Sequence, residues 1–279
     1  MNLVELSTFL SVVELKSLAR AAERLNVTQS TVTARIDSLE RRLGQKLLHR
    51  HKSGSELTSA GFKLVRYAEV VTQLWRQAQY EVGLPQGFTG VCNVGCYFDL
   101  WEGLVARFVD HVRRRRPDVA IAVWPGDQRS IDHWLDTGLV DLAFCYSPDA
   151  RGSYAIRDIA VDELVRVEVA PPTGNGPEAP QPAYVYVDYG EQFRRDHAVT
   201  FAGEPPAAVT LASCRWAIDH LMRTGGSCYL PRRHVAELEA TSFHIPEAAP
   251  VLRQTIFLVE NASVTQQWPW LAEAVAALV

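Results

Sequence analysis

The sequence predicts an all-helical head carrying a winged helix-turn-helix, a long linker helix, and an α/β body in two lobes. Three observations predict it. Between Leu18 and Leu48, two apolar helical patterns lie back to back, parted only by a break at Asn26-Val27. A cluster of breakers, Gly83, Pro85, Gly87 and Gly90, then marks a domain boundary. Beyond it, short apolar runs alternate with helical stretches, the rhythm of βαβ units and a parallel sheet.

The head comes first. Leu3, Leu6, Phe9, Leu10 and Val13 recur at helical spacing over residues 3–15. The next pattern sets Ala19, Ala22 and Leu25 on one face, with Ala21 beside them, and small residues let helices approach closely. Thr28 is placed to cap a further helix whose apolar stripe is Val32, Ile36, Leu39 and Leu43. Two helices joined by so short a turn form a helix-turn-helix, whose second helix is shaped for the DNA major groove.

The polar face of that second helix carries Thr28, Gln29, Ser30, Thr31, Thr33, Arg35 and Ser38. Glutamine pairs with an adenine edge, arginine with a guanine edge, and hydroxyls with base edges or phosphates. The plain alternative is a solvated face in a helical bundle. Gly44 ends the helix, and His49-Arg50-His51-Lys52 leads through Ser53-Gly54 to Leu57-Thr58, a short basic hairpin. As a wing it lays Arg50 or Lys52 along the backbone or into the minor groove; otherwise it is a solvated loop.

Thr58 or Ser59 caps a helix running to about Val82, with Leu64, Tyr67, Ala68, Val71, Leu74, Trp75, Ala78 and Val82 in its stripe. A second copy of the chain is the economical cover for so long a stripe, with Leu64, Tyr67, Val71, Leu74, Trp75 and Ala78 at the seam. Packing on the chain's own body is the alternative. The expected division is residues 1–58 for the DNA-binding head, 59–87 for the linker helix and hinge, and 88–279 for the body.

In the body, strands are expected over 91–95, 119–124 and 139–146, with helices over 100–114 and 130–137 between them. A further strand spans 164–170 and leads into the Pro/Gly-rich loop 171–182. A second set follows: strands 184–187, 208–211, 228–230 and 251–259, and helices 191–197, 213–223, from Pro231, and 270–279. Long strands near 160–170 and 242–254 link the sets. Lobe one is then about 91–163 and 251–279, and lobe two about 164–250.

Charge divides the same way. The net charge of −4 hides a residue 1–87 segment with 12 Lys+Arg against 8 Asp+Glu, while the remainder has 16 against 24. A basic head on an acidic body suits a protein that touches phosphate with one part only. The run Arg113–Arg116 offers a second DNA contact, but the simpler reading is a solvated helix C-terminus. The N-terminus lacks a basic, apolar and cleavage-site pattern, and no run approaches the ~20 apolar residues of a membrane span, so a cytoplasmic protein with no membrane partner is expected.

Five scattered cysteines (Cys92, Cys96, Cys145, Cys214 and Cys228) include no Cys-x-x-Cys pair and read as buried apolar residues. A thiol switch between Cys214 and Cys228 is the competing reading. No metal or cofactor is expected. Ser213, Asp219 and His220 lie close in sequence, but no nucleophile signature surrounds them, so an enzyme is not expected. A solute-binding transport protein would share the two lobes but need an export signal.

The first sixty residues resemble the LysR-type transcriptional regulators. The resemblance is carried without gaps by Leu6, Phe9, Val13, Ser17, Ala21-Ala22, Leu25, Val27, Gln29-Ser30, Ile36, Leu39-Glu40, Leu43-Gly44, Leu47, Arg50, Leu57-Thr58 and Gly61. Val94-Gly95, Arg107-Phe108, Pro117-Asp118-Val119, Gly138 and Asp141-Leu142-Ala143 resemble the first lobe of the family's effector domain. The resemblance implies a periplasmic-binding-protein type II-like body and a homodimer or homotetramer on double-stranded promoter DNA. It also implies a small-molecule effector between the lobes. Two departures stand out: Lys16 replaces a common glycine, and Ala34 occupies a recognition-helix position that is often polar.

Ligands of such folds bind at strand C-terminal ends and helix N-termini. That points to Tyr97-Phe98-Asp99, Trp124-Pro125-Gly126 and Tyr146 in lobe one, and to Asp188-Tyr189 and Gly226-Ser227 in lobe two. Ionised Asp99 and Asp188 would repel a carboxylate, favouring a neutral, cationic or amphipathic ligand. The alternative is an effector-independent or architectural DNA-binding protein whose aromatics are simply packed.

Overall fold

Each helix of the head opens on a side chain that accepts from one of its free N–H groups. Asn2 accepts from Val4 N–H at 3.0 Å and Ser17 from Arg20 N–H at 3.3 Å, while Thr28 accepts from Thr31 N–H at 3.2 Å. The helices are α1 (Leu3–Leu15), α2 (Leu18–Arg24) and α3 (Gln29–Leu43). The computed structural model describes residues 2–51, 54–149, 154–171, 183–202, 207–235, 243–261 and 264–278. It divides into two compact units, Met1–Pro85 and Gln86–Val279.

Leu6, Phe9, Val12, Ala21, Ala22, Val32, Ile36 and Leu39 form the core of the first unit. Four residues of the expected apolar faces lie outside it, Leu3 and Leu25 being half-buried. Ala19 is exposed, and Leu43, in the last turn of α3, is 46% exposed. Glu40 is buried instead. Strands β1 (Leu48–His51) and β2 (Gly54–Leu57) pair antiparallel as the wing. The α1–α2 turn needs a left-handed residue, and Lys16 supplies it at φ 53°. Ser55 N–H donates to Lys16 O at 3.0 Å, and a Cβ on Gly54 would stand 2.6 Å from that oxygen, so the wing tip demands glycine.

Helix α4 (Ser59–Val82), capped by Thr58, has two characters. Ala68 and Thr72 are buried, and Leu64, Val65 and Val71 pack against the head core. Part of the stripe expected to meet a second copy is thus covered by the chain itself. Tyr67, Leu74, Trp75, Ala78 and Val82 are exposed.

The second unit is built on one eight-stranded sheet, ordered β4-β3-β5-β10-β6-β9-β7-β8. The first set comprises β3 (Gly90–Tyr97), β4 (Val119–Gly126) and β5 (Leu142–Cys145), with helices α5 (Ala106–Arg115) and α6 (Gln128–Asp136). After the long β6 (Tyr154–Val169) come β7 (Ala183–Val187), α7 (Glu191–Thr200), β8 (Val209–Leu211), α8 (Cys214–Thr224), β9 (Gly226–Pro231) and α9 (Arg232–Val235). Strand β10 (Leu252–Asn261) and the short α10 (Val264–Gln267) and α11 (Leu271–Ala276) close the chain.

The parallel sheet expected from the βαβ rhythm is mixed. Pairs within each set are parallel, but β10 and β6 pair antiparallel with each other and with β5 and β9, because each crosses between the sets. The second link is shorter than expected: β10 starts at Leu252, and His244 makes one bridge to Glu168. The helix expected over 100–114 is broken. Glu102 (ψ 132°) and Gly103 (φ 75°) are non-helical, and the helix resumes at Ala106. The loop expected over 172–182 lies outside the described residues. No helix among the described residues is long and apolar enough to cross a membrane.

Candidate nucleic-acid interface and ligand cleft

Val32, Ile36 and Leu39 anchor α3 in the head core, which turns the helix's polar side outward. Gln29, Ser30 and Ala34 are exposed, while Thr31, Thr33, Arg35 and Ser38 are half-buried. Thr28 Oγ1 lies 2.8 Å from both Ser30 Oγ and Thr31 Oγ1, so three hydroxyls cluster where the helix N–H groups and dipole favour a phosphate. Arg35 turns inward and donates to Thr8 Oγ1 at 3.2 Å. Arg50 reaches from the wing to Asp37 on α3 at 2.6 Å. Lys52 lies outside the described residues.

Glu40 fixes the far end of α3. Its buried carboxylate accepts from Lys46 Nζ at 2.6 Å, Leu47 N–H at 2.9 Å and Leu48 N–H at 3.3 Å. Burial raises its pKa, but these donors outweigh it and hold the carboxyl below its ordinary value. Thr8, Asp37 and Glu40 were not singled out as functional in sequence. Glu40 is the one with a signal: an acidic residue beside Leu39 on the inward face of an amphipathic helix.

In the second unit, the strand ends of the two sets meet in a buried aromatic cluster. Tyr97 and Tyr146 stack edge-on at 5.2 Å, Tyr146 and Tyr189 at 6.2 Å, and Tyr189 and Phe193 at 5.1 Å. Polar bonds cross the same junction. Tyr97 Oη donates to Asp188 O at 2.7 Å, and Ser213 Oγ and Cys214 N–H donate to Asp99 Oδ1 at 2.8 and 2.9 Å. Arg233 donates to Asp162 at 3.0 Å, to Tyr146 Oη at 3.2 Å and to Glu102 O at 2.6 Å, and also to Asp99 O. Tyr146 Oη in turn donates to Asp162 at 2.6 Å. The break at Gly103 leaves the Glu102 carbonyl free to accept Arg233.

Beside this junction opens a cavity of about 730 Å³. Tyr97, Gln128, Ser147, Asp188, Gly190 and Arg194 line it, with Asp127, Asp132, Asp136, Asp149 and Glu191 giving an acidic excess. Burial is the main cause raising the Asp132 carboxyl above its ordinary value. A neighbouring cavity of about 490 Å³ is bordered by Tyr146, Ser147, Glu191, Arg195, Gln254 and Phe257.

Of the residues expected to line a cleft, Tyr97 and Asp188 border the larger cavity and Tyr146 the smaller. The others border neither. Asp99 is 1% exposed, and burial, opposed by Cys214 and Ser213, pushes its carboxyl up. Tyr189 is buried and donates to Tyr229 O at 2.9 Å. Trp124 donates to Asn93 Oδ1 at 3.3 Å, and Gly126 lies under the Trp134 ring. Phe98 packs edge-on against Tyr97, Pro125 pairs with Cys96 in the sheet, and Gly226 and Ser227 pair with β6. Strand ends here carry large side chains that fill the junction rather than open it. Gln128, Ser147 and Arg194, at helix starts and a strand end, take the lining positions instead.

All five cysteines are buried and free. Burial pushes the Cys96 and Cys145 thiols up to about 12 and raises those of Cys214 and Cys228 as well. Thiols so held are poor nucleophiles for a switch. Arg113 donates to Pro117 O and Val119 O, Arg115 pairs with Glu273 and Arg116 with Asp118, so three members of the arginine run are engaged within the second unit.

Residues 3–62 match the family described as bacterial regulatory helix-turn-helix protein, lysR family. The HTH-type transcriptional regulator HdfR of Yersinia pestis (strain Pestoides F) is 27% identical over 259 residues, covering 89% of this chain and 87% of that protein. Among solved structures, CbnR, a LysR family transcriptional regulator, superposes with a TM-score of 0.75 at 19% identity, over 100% of this chain and 99% of that one. Full-length CbnR complexed with its target DNA gives 0.74 at 19% identity, covering all of both chains.

Proposed function

The chain belongs to the LysR family of transcriptional regulators, and from that premise we propose that it reads promoter DNA as an oligomer and answers to a small molecule. The observation that carries DNA reading is the start of α3, where exposed Gln29 and Ser30 follow the Thr28 hydroxyl cluster on a helix pinned by its buried stripe. Arg50 and Lys52 serve the DNA backbone. Arg35 swings from Thr8 to a base or phosphate when DNA arrives. CbnR, of like fold, was solved with its target DNA.

Residues 1–58 act as the head, 59–87 as the dimerising helix and hinge, and 88–279 as the effector domain. Exposed Tyr67, Leu74 and Trp75 on α4 support self-association. The 730 Å³ cavity is of ligand size and lies at helix starts and strand ends, which supports an effector site. Its acidic excess favours a neutral or cationic molecule over a carboxylate.

Fluorescence anisotropy with DNA from beside the protein's own gene tests the reading. Wild-type protein binds that DNA more tightly than scrambled sequence. Gln29→Ala lowers the specific affinity about 5- to 150-fold, the ~1–3 kcal/mol of one bidentate base contact, with an unchanged melting midpoint. Equal affinity for all sequences, set by salt alone, would instead support an architectural DNA protein.

A further inference from the structure

We propose that Asp99 is a resident ligand: its carboxylate fills an anion seat at the N-terminus of α8, ties the two strand sets together, and bars that seat to small carboxylates. Helix α8 has 11 residues, and its first N–H groups and dipole favour a negative charge at Ser213-Cys214. Ser213 Oγ and Cys214 N–H both donate to Asp99 Oδ1, at 2.8 and 2.9 Å. That is the bonding such a seat would offer a free carboxylate, here given to a side chain 114 residues away in sequence.

The fit is built from both ends of the residue. Asp99 O accepts from Arg233, and His234 Nε2 stands 3.1 Å from the same oxygen, so backbone and side chain are both held. Asp99 is 1% exposed, and its Oδ2 is buried with no hydrogen-bond partner among the described residues. An ordinary structural aspartate in so dry a place would satisfy both oxygens. A carboxylate lodged in a pre-formed seat by one oxygen leaves the second unmatched, as Asp99 does.

The side chain beyond Cβ is a carboxylate, so Asp99→Ala vacates a space the size of formate while leaving both donors in place. The experiment uses the full chain and compares melting midpoints of wild type and Asp99→Ala in sodium formate and in sodium chloride at equal ionic strength. The variant melts below wild type. Formate raises its midpoint by about 3 °C or more over chloride, as expected for a ligand in roughly tenfold excess over its Kd, and leaves wild type unmoved. Ser213→Ala in the Asp99→Ala background abolishes the formate response. If Asp99→Ala is recovered in soluble form only when formate is present, the proposal is equally supported.

A folded Asp99→Ala that responds alike to formate and chloride overturns the proposal and leaves Asp99 a packing residue. So does a wild type that gains as much from formate as the variant, or a variant insoluble in both salts. None of these readouts involves DNA or an effector, so the regulator reading stands or falls separately.

Discussion

The head and the second unit handle polar side chains in opposite ways. The head keeps most of its polar groups on the outside of three short helices, and its one extensively bonded buried carboxylate, Glu40, is satisfied within eight residues. The second unit drives Asp99, Tyr146, Asp162 and Arg233 into its middle and bonds them across separations of 16 to 135 residues, leaving only the second carboxylate oxygen of Asp99 unmatched among these four. A surface that must meet DNA has to leave donors unspent. A junction that must hold two strand sets in register gains by spending them on itself.

The largest expected effect tests the junction. Arg233 is 20% exposed and Asp162 8%, so removing the guanidinium strands a nearly buried carboxylate. Arg233→Ala should destabilise the second unit by about 3–5 kcal/mol, read as a fall in its urea midpoint. Arg233→Met combined with Asp162→Leu should lose far less, since no charge is then left unpaired. DNA affinity of the head at low temperature should hold. Equal losses from the single and double variants would show that Arg233 contributes by packing, and the contrast between the two units would weaken.

This contrast explains how much was legible in sequence. Helices of the head follow from periodicity and caps, both properties of neighbours within four residues; Thr28 and Thr58 cap where hydroxyls precede apolar runs. Ala19 and Leu43 went astray because burial at a helix end depends on what packs there. In the second unit the strands were legible, but the antiparallel pairing of β6 and β10 was not, since both directions bear the same apolar alternation. Tyr97 and Asp188 border the cavity, whereas Gly226 and Ser227 sit within the sheet. Which strand-end residue faces a cavity and which fills the junction depends on side-chain volumes contributed from far along the chain. Arg233 carried no signal, being one of two arginines after a proline.

A middle-sized effect probes the head's buried carboxylate. Glu40→Gln removes the charge that Lys46, Leu47 N–H and Leu48 N–H are arranged to meet. At pH 7 the loss should be about 1–3 kcal/mol of head stability. The pH dependence has a definite sign. A carboxyl held below its ordinary value in the folded state contributes above the unfolded value of about 4.3, and that contribution fades as pH falls through the lower folded value. Chemical denaturation should therefore show wild type and Glu40→Gln converging as pH falls below about 4. A gap that stays constant with pH would mean that side-chain shape, not charge, is what Glu40 provides.

The smallest effect concerns strain. Lys16 is a non-glycine residue at φ 53°, ψ 26°, ending α1 where a left-handed residue is needed, and its carbonyl must also face the wing to accept from Ser55 N–H. A side chain there costs about 1–2 kcal/mol relative to right-handed backbone, a penalty glycine escapes. Glycine's larger entropy loss on folding offsets part of that gain. Lys16→Gly should therefore stabilise the head by about 0.5–1 kcal/mol and raise its melting midpoint by a few degrees. It also removes one positive charge from the basic head, so any loss of DNA affinity should appear as a shallower salt dependence rather than altered sequence preference. A lower midpoint would mean that the Lys16 side chain contributes packing or charge that outweighs its backbone strain.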